Sequence, residues 1–140
     1  MALRQVREIG ESILAKVSKE VKEMTPRTAE LIEDMWETMY DKEGVGLAAV
    51  QVGVLKRIFI VETDEEHSYV FINPKIVSRE GEQVGSEGCL SVPGKAGNVR
   101  RPQKVVVEAL DEDMKPFTLE AEDLLARAIC HEYDHLDGHL

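Results

Sequence analysis

A short motif near the end of the chain limits the fold more than any other feature, because residues 131–135 read H-E-Y-D-H. Residues four apart lie on one face of an α-helix, so His131 and His135 can point at one metal ion if this segment is helical. Glu132 then lies beside a ligand and can act as general base on a metal-bound water. The pattern H-E-x-x-H therefore predicts a metal-binding helix; the alternative is an amphipathic helix end that carries two histidines by chance.

A catalytic site of this kind needs a third protein ligand, and the sequence offers few donors. Downstream, His139 comes two residues too early for the H-x-x-G-x-x-H spacing of metzincin proteases, and Gly138 is expected to end the helix. The ligand is therefore expected upstream, where the candidates are Cys89, His67 and a carboxylate. Of these, His67 lies in a polar turn and is expected to be a solvated loop residue.

Length and charge exclude several classes of protein. The 140 residues fit one domain, and the net charge of −10 argues against nucleic acid or an anionic membrane as the main partner. No apolar run approaches the ~18 residues of a membrane span, and the N-terminus resembles neither a signal peptide nor a transit peptide. For Cys89 and Cys130, metal binding or a free thiol is therefore expected rather than a disulfide.

Hydrophobic spacing predicts a helix near each end of the chain. Thr25 and Pro26 form a start signal for a helix over about 26–40, and helical spacing returns from about Ala121 into the H-E-x-x-H motif. Strands rich in β-branched and aromatic residues are predicted at 57–62, 69–77, 104–110 and 116–120. Residues 94–102 are expected to be a basic loop. This order favours an α+β fold, with antiparallel sheets packed around the C-terminal helix, over βαβ units.

A glycine-rich stretch at 44–53 separates the first helix from the first long strand. Gly44 and Gly46 allow a tight turn or a close approach to a ligand, although the stretch matches no phosphate-binding pattern. The polar exception in its apolar run is Gln51. Because a buried amide must find partners, Gln51 is either a core glutamine with satisfied hydrogen bonds or a side chain directed into a site.

Three short motifs together resemble those of the peptide deformylases. Residues 44–51 read G-V-G-L-A-A-V-Q, which is similar to the first motif of that family, G-x-G-L-A-A-x-Q. Residues 87–91 read E-G-C-L-S and match the second motif, while residues 131–135 match the third, H-E-x-D-H. All three are complete and in the order of the family, and the resemblance extends over nearly the whole chain.

The resemblance implies a role for each site residue. The metal ligands of the family are a cysteine and two histidines, which here are Cys89, His131 and His135. Glu132 takes the place of the general acid/base, and the oxyanion is stabilised by the amide of Gln51 and the backbone N–H of Leu90. The substrate is expected to lie against a close-packed site formed by Val45, Gly46, Gly88 and Leu124, with Val45 and Leu124 as candidates for the methionine pocket.

The resemblance also implies the reaction and its setting. It implies a hydrolase that removes the N-formyl group from the formylmethionine of newly made proteins, using one divalent metal ion, Fe(II) in the cell and Zn, Ni or Co in preparations. Residues 1–140 would form one catalytic domain in the bacterial cytoplasm, without the usual C-terminal extension and with a correspondingly weakened, transient ribosome contact. The alternatives are a zinc peptidase of another H-E-x-x-H type and a non-catalytic metal-binding protein.

Overall fold

The computed structural model describes the backbone of residues 3–8, 11–89 and 91–138, with their side chains except at 86, 88, 89 and 92–97. Within these residues the chain forms two α-helices, two 3-10 turns and seven β-strands. The helices are α1 (Pro26–Asp41) and α2 (Asp123–Leu136), and the 3-10 turns are Ser12–Ala15 and Ala49–Val52. The strands are β1 (Gly46–Ala48), β2 (Ile58–Asp64), β3 (His67–Glu80), β4 (Gln83–Cys89), β5 (Val92–Arg101), β6 (Lys104–Leu110) and β7 (Pro116–Glu122).

The strands form two antiparallel sheets that share no strand. The larger sheet has the order β1-β2-β3-β6-β7, and the smaller sheet consists of β4 and β5 alone. Every strand pair is antiparallel, and the ladder between β6 and β7 runs without interruption from Lys104 opposite Glu122 to Leu110 opposite Pro116. Antiparallel sheets with a C-terminal helix confirm the predicted α+β fold.

Helix α1 begins where the sequence predicts. The side-chain oxygen of Thr25 accepts a hydrogen bond from the backbone N–H of Thr28 at 3.1 Å, and Pro26 occupies the first turn. This cap satisfies a backbone N–H that has no partner inside the helix. The helix buries an apolar face against the larger sheet, to which Leu31, Ile32, Met35 and Met39 contribute.

Strand β2 is apolar on both faces and serves two cores. Successive side chains of a strand point to opposite faces, so Ile58 and Ile60 pack with α1 while Phe59 and Val61 pack with α2. The larger sheet is therefore covered by one helix on each face. Helix α2, which carries the H-E-x-x-H motif, is fixed by the second of these cores.

One predicted loop and one predicted helix start are wrong. Residues 94–102 are not a loop, because Val92–Arg101 form strand β5, which pairs with β4. Helix α2 begins at Asp123 rather than near Ala121, because Ala121 and Glu122 still pair with β6. Asp123 has a left-handed backbone with φ +54°, and this turn separates strand from helix. The expected helix end is confirmed, since α2 stops at Leu136 and Gly138 follows with φ +80°.

Candidate metal centre

Helix α2 brings both histidines of the H-E-x-x-H motif to one point. The Nε2 atoms of His131 and His135 lie 3.3 Å apart, and one donor atom from each of His131, Glu132 and His135 lies within 4.8 Å of the others. Glu132 and His135 are 4% and 1% exposed. Two imidazole nitrogens that converge beside a carboxylate are a donor set that suits Zn²⁺ or Fe²⁺.

Burial sets the charge state of these groups. It raises the pKa of the Glu132 carboxyl to about 7 and lowers the pKa of the His135 imidazole to about 3. His135 is therefore neutral at physiological pH, which is the form that binds a metal. The Oε1 atom of Glu132 is buried and has no hydrogen-bond partner among the described residues. A buried carboxylate oxygen beside two converging nitrogens fits a site that holds a metal ion and its bound water.

Strand β1 approaches the metal helix closely at Gly46. A Cβ atom at this position would lie 2.6 Å from Oε2 of Glu132, which is closer than real Cβ contacts. A larger residue at position 46 would therefore force the side chain of Glu132 to move. The sequence prediction that Gly46 permits a close approach agrees with this contact, and it brings the first motif to the third.

The amide of Gln51 joins the first motif to the second. Gln51 is buried in the 3-10 turn after β1, where its Oε1 accepts a hydrogen bond from the backbone N–H of Ala48 at 2.9 Å. Its Nε2 donates to Oγ of Ser91 at 3.1 Å, two residues beyond Cys89. These bonds fix the orientation of the amide plane, and Ser91 is a partner that the sequence analysis did not identify.

Glu87, a residue of the E-G-C-L-S motif to which the sequence assigns no separate role, supports His131. Oε1 of Glu87 lies 2.9 Å from Nδ1 of His131, so the other ring nitrogen, Nε2, is directed toward His135. Glu87 also accepts hydrogen bonds from Arg101 at 3.1 and 3.2 Å and from Arg127 at 2.7 Å. Burial alone would raise the pKa of Glu87, but the bonds from Arg101 and His131 outweigh burial and lower it.

Two arginines complete this charged network and were missed in the sequence. Arg101 also donates to Asp134 on α2 at 2.6 Å, and Arg127 lies one helical turn before His131. Charged residues in a sequence are normally assigned to solvated surface, and these lie far apart along the chain. The position of Glu87 inside the E-G-C-L-S motif was the one available indication of the network.

Some predicted site residues are placed only in part. The backbone of Gly88 pairs with Ala96, and Cys89 ends β4, but the side chain of Cys89 and all of Leu90 lie outside the described residues, as does His139. Val45 and Leu124 are 46% and 52% exposed, next to Gly46 and in the first turn of α2 respectively. Their roles in substrate binding remain predictions.

The two other titratable side chains singled out in the sequence take no part in the cluster. The expectation that His67 lies in a loop is wrong, because His67 begins strand β3; its side chain is partly exposed, and its Nδ1 lies 2.8 Å from a carboxylate oxygen of Asp64. Cys130 is a free, buried thiol, and burial raises its pKa to about 11. A thiol with so high a pKa is a poor nucleophile and a poor metal ligand at neutral pH.

Fold and site together define a metal-dependent hydrolase centre of the H-E-x-x-H kind on an α+β scaffold. Comparison with known proteins gives the family. The sequence model described as Polypeptide deformylase matches residues 3–140, so the chain belongs to the polypeptide deformylase family.

Sequence relatives and solved structures agree with this assignment. The chain is 57% identical over 140 residues to a peptide deformylase of Agathobacter rectalis, covering all of this chain and 88% of that protein. A peptide deformylase structure from Legionella pneumophila superposes with a TM-score of 0.95 at 44% identity, over 99% of this chain and 83% of that one. Another, from Ehrlichia chaffeensis in complex with actinonin, gives 0.97 at 38% identity over 100% and 87%.

The protein is thus a peptide deformylase, which removes the formyl group from the N-terminal methionine of nascent chains. The metal dependence of the family agrees with the cluster on α2. Neither helix in the described part of the chain is long and apolar enough to cross a membrane.

Proposed function

We propose that this deformylase hydrolyses formylmethionyl peptides at a metal ion held by His131, His135 and Cys89. The observation that carries this proposal is the convergence of the two Nε2 atoms, 3.3 Å apart, beside a buried carboxylate. Strand β4 ends at Cys89 and runs beside the same network, since Glu87 of that strand binds His131. A thiolate with two imidazoles leaves a coordination position open for water or substrate, as a catalytic site requires.

The metal we propose for the cell is Fe(II), with Zn, Ni or Co taken up in preparations. When bound, such an ion lowers the pKa of a water molecule toward ~7 and polarises a carbonyl group. The donor set suits both iron and zinc, and the choice of iron is supported by the resemblance to the family. Loss of activity in air by the iron form, but not by the zinc form, would support this choice.

Glu132 is proposed as the residue that moves the proton. Its pKa of about 7 means that it can accept a proton from the attacking water and return it to the leaving amine near neutral pH. Its buried position against Gly46 keeps the carboxylate beside the histidines rather than in solvent. General acid–base catalysis of this kind is typically worth at least ~100-fold in rate.

Gln51 and Leu90 are proposed to stabilise the negative charge that grows on the formyl oxygen. The Gln51 amide is held in a fixed orientation by Ala48 and Ser91, and a fixed donor needs no reorganisation during the reaction. The backbone N–H of Leu90, which follows Cys89 directly, is the second proposed donor. Removal of one such donor typically costs ~3–4 kcal/mol of transition-state stabilisation.

Selection of a formyl group is proposed to come from close packing. The backbone at Gly46 already touches Glu132, and Gly88 at the end of β4 is proposed to lie on the opposite side of the substrate. A formyl group presents only a hydrogen next to the scissile carbon, whereas an acetyl group presents a methyl. Misfit of one methyl costs about 1–3 kcal/mol. The methionine side chain is proposed to contact Val45 and Leu124, both exposed apolar residues.

The cellular setting follows from the substrate. We propose that residues 1–140 act as one catalytic domain in the bacterial cytoplasm, where formylated chains emerge during synthesis. Contact with the ribosome is proposed to be transient, because the substrate is the nascent peptide itself. The acidic character of the chain agrees with the absence of a direct nucleic-acid partner.

A comparison of three substrates tests the function. One anaerobically iron-loaded preparation is assayed on formyl-Met-Ala, acetyl-Met-Ala and an unblocked longer peptide, with kcat/KM as the readout. The formyl peptide should be hydrolysed at least tenfold faster than the acetyl peptide, with formate released, and internal peptide bonds should stay intact. Glu132→Gln should keep its metal and lose at least ~100-fold in rate. Comparable rates on the formyl and acetyl peptides, or cleavage of an internal bond, would instead indicate a general metallopeptidase.

A further inference from the structure

The proposed ligands lie on two elements, and among the described residues no backbone ladder connects these elements. The histidines lie on α2, whereas Cys89 ends β4, which within the same residues pairs with β5 alone. In the part of the chain described, no residue of this small sheet belongs to either hydrophobic core. The contacts that the described residues show between β4 and this helix are side-chain hydrogen bonds.

Among the described side chains of α2, Arg127 is the one that binds the main chain of the small sheet. Its guanidinium donates hydrogen bonds to the backbone carbonyls of Gly85 on β4 and Val99 on β5, at 3.2 and 3.3 Å. These two residues face each other in the β4–β5 ladder, so one side chain binds the main chain of both strands. A third bond, at 3.3 Å, goes to the side-chain carbonyl of Gln83.

The fourth contact of Arg127 reaches the metal site itself. Its Nη1 donates to Oε2 of Glu87 at 2.7 Å, and the other oxygen of that carboxylate binds Nδ1 of His131. Arg127 is 7% exposed, so this ion pair is shielded from solvent. The same guanidinium thus fixes the small sheet and orients the carboxylate that supports a histidine of the site.

The absence of a side chain at Gly85 leaves room for this guanidinium. A Cβ atom on Gly85 would lie 2.9 Å from Nη2 and 3.1 Å from Cζ of Arg127. The guanidinium therefore lies close against the bare backbone of β4. A side chain here would move the guanidinium away without changing its charge.

We propose that Arg127 is a positioning residue of the metal site, whose guanidinium fixes strand β4, and with it Cys89, against the helix that carries His131 and His135. The inference rests on the proposed ligand set. Arg127 touches neither the metal nor the substrate, and it acts by setting the distance between ligands on two separate elements. Groups of this kind typically change metal affinity by 10- to 100-fold when they are removed.

The test measures metal binding rather than turnover. Wild type, Arg127→Met, Arg127→Lys and Gly85→Ala are loaded with Co(II), and the sulfur-to-cobalt charge-transfer absorption reports ligation by a thiolate. Dissociation of Zn(II) into a chelator is followed in parallel. Arg100→Met is the matched control, since Arg100 lies on the same small sheet in an exposed pair with Glu82.

Arg127→Met and Gly85→Ala should lose metal about 10- to 100-fold faster than wild type and show a weakened charge-transfer band. Arg127→Lys should recover only part of the affinity, because lysine offers one nitrogen, whereas the guanidinium uses Nη1 for Glu87 and the two carbonyls and Nη2 for Gln83. The control should match wild type. If Arg127→Met does not fold, Gly85→Ala and Arg127→Lys carry the test.

The positioning role would be overturned if folded Gly85→Ala and Arg127→Lys released metal at the wild-type rate and showed the wild-type spectrum. The same result in folded Arg127→Met would also overturn it. A purely structural role would lower the unfolding temperature and leave the cobalt spectrum of the folded variants unchanged, which also counts against the proposal. Absence of a sulfur band in wild type would instead refute the ligand set on which the inference rests.

Discussion

The two sheets of the protein are attached to the helices by different forces. The larger sheet buries apolar side chains on both faces, among them Phe59 and Phe71, whose ring centroids lie 4.7 Å apart. The described side chains of the small sheet join neither core and contact α2 through charged and polar groups, chiefly Glu87 and Arg101. Stability of the molecule therefore depends mainly on the larger sheet, and alignment of the site depends on the smaller one.

The largest effect on stability is expected from the larger sheet. Phe71 is fully buried and its ring packs against those of Phe59, Tyr69 and Phe117. Phe71→Ala should lower the free energy of unfolding by about 3–5 kcal/mol, because it leaves a cavity among aromatic rings. Chemical denaturation measures the change. The matched control is Val84→Ala in the small sheet, whose side chain is largely exposed, and its cost should stay below about 0.5 kcal/mol.

The next effect is a dependence of the unfolding free energy on pH, and it arises from Glu132 on α2. Because burial raises the pKa of Glu132 from 4.5 to about 7, the folded metal-free protein keeps a proton that the unfolded chain releases between these values. Relative to Glu132→Gln, the metal-free wild type should lose about 3 kcal/mol of unfolding free energy between pH 4 and pH 8. The titration of His135 is common to both proteins and cancels in the difference.

Denaturation of both metal-free proteins across this pH range makes the comparison. A difference that stays constant with pH would show that Glu132 titrates in the folded protein as it does in the unfolded chain. That result would contradict the buried position of this carboxylate, whose Oε1 has no hydrogen-bond partner among the described residues.

The smallest effect on stability is expected at the start of α1, and it should leave the metal site unchanged. Thr25→Ala removes the cap of α1 and should lower the free energy of unfolding by about 1 kcal/mol. Because α1 packs on the opposite face from α2, metal dissociation from the folded variant should be unchanged. Thr25→Ser, which keeps the hydroxyl, serves as control. A faster release of metal in Thr25→Ala would show that the two faces of the sheet are coupled.

Strands β2, β3, β6 and β7 of the larger sheet and both helices could be predicted from the sequence because their apolar residues follow regular patterns, whereas the short strand β1 was not predicted. The cap at Thr25, the strands of the hairpins and the helix under His131 all follow from such local patterns. Strand β5 could not be predicted in this way. Its glycines, arginines and lysine are typical of a loop, and they pair with β4 in a sheet whose contacts with the helix are charged.

The site was likewise predictable only where its residues are neighbours in the chain. His131, Glu132 and His135 form the cluster that their spacing predicts. The partners that orient them, Glu87 and Arg127, are 40 residues apart and meet only in the folded structure. The spacing of residues along the chain cannot predict a contact between residues so far apart. The start of α2 was misjudged for a related reason, since Ala121 favours a helix by its local preference but pairs with the distant Val105 of β6 in the folded structure.

The apolar character of β2 on both faces has a consequence for the order of events during synthesis. Helix α1 precedes β2 in the chain and can cover Ile58 and Ile60 as soon as β2 is made. Helix α2 is translated much later, so Phe59 and Val61 lack the helix that covers their face of the sheet until the segment with the H-E-x-x-H motif leaves the ribosome. Exposed apolar strands of this kind promote aggregation. During that interval the emerging chain would depend on chaperones, and it could not yet form its metal site.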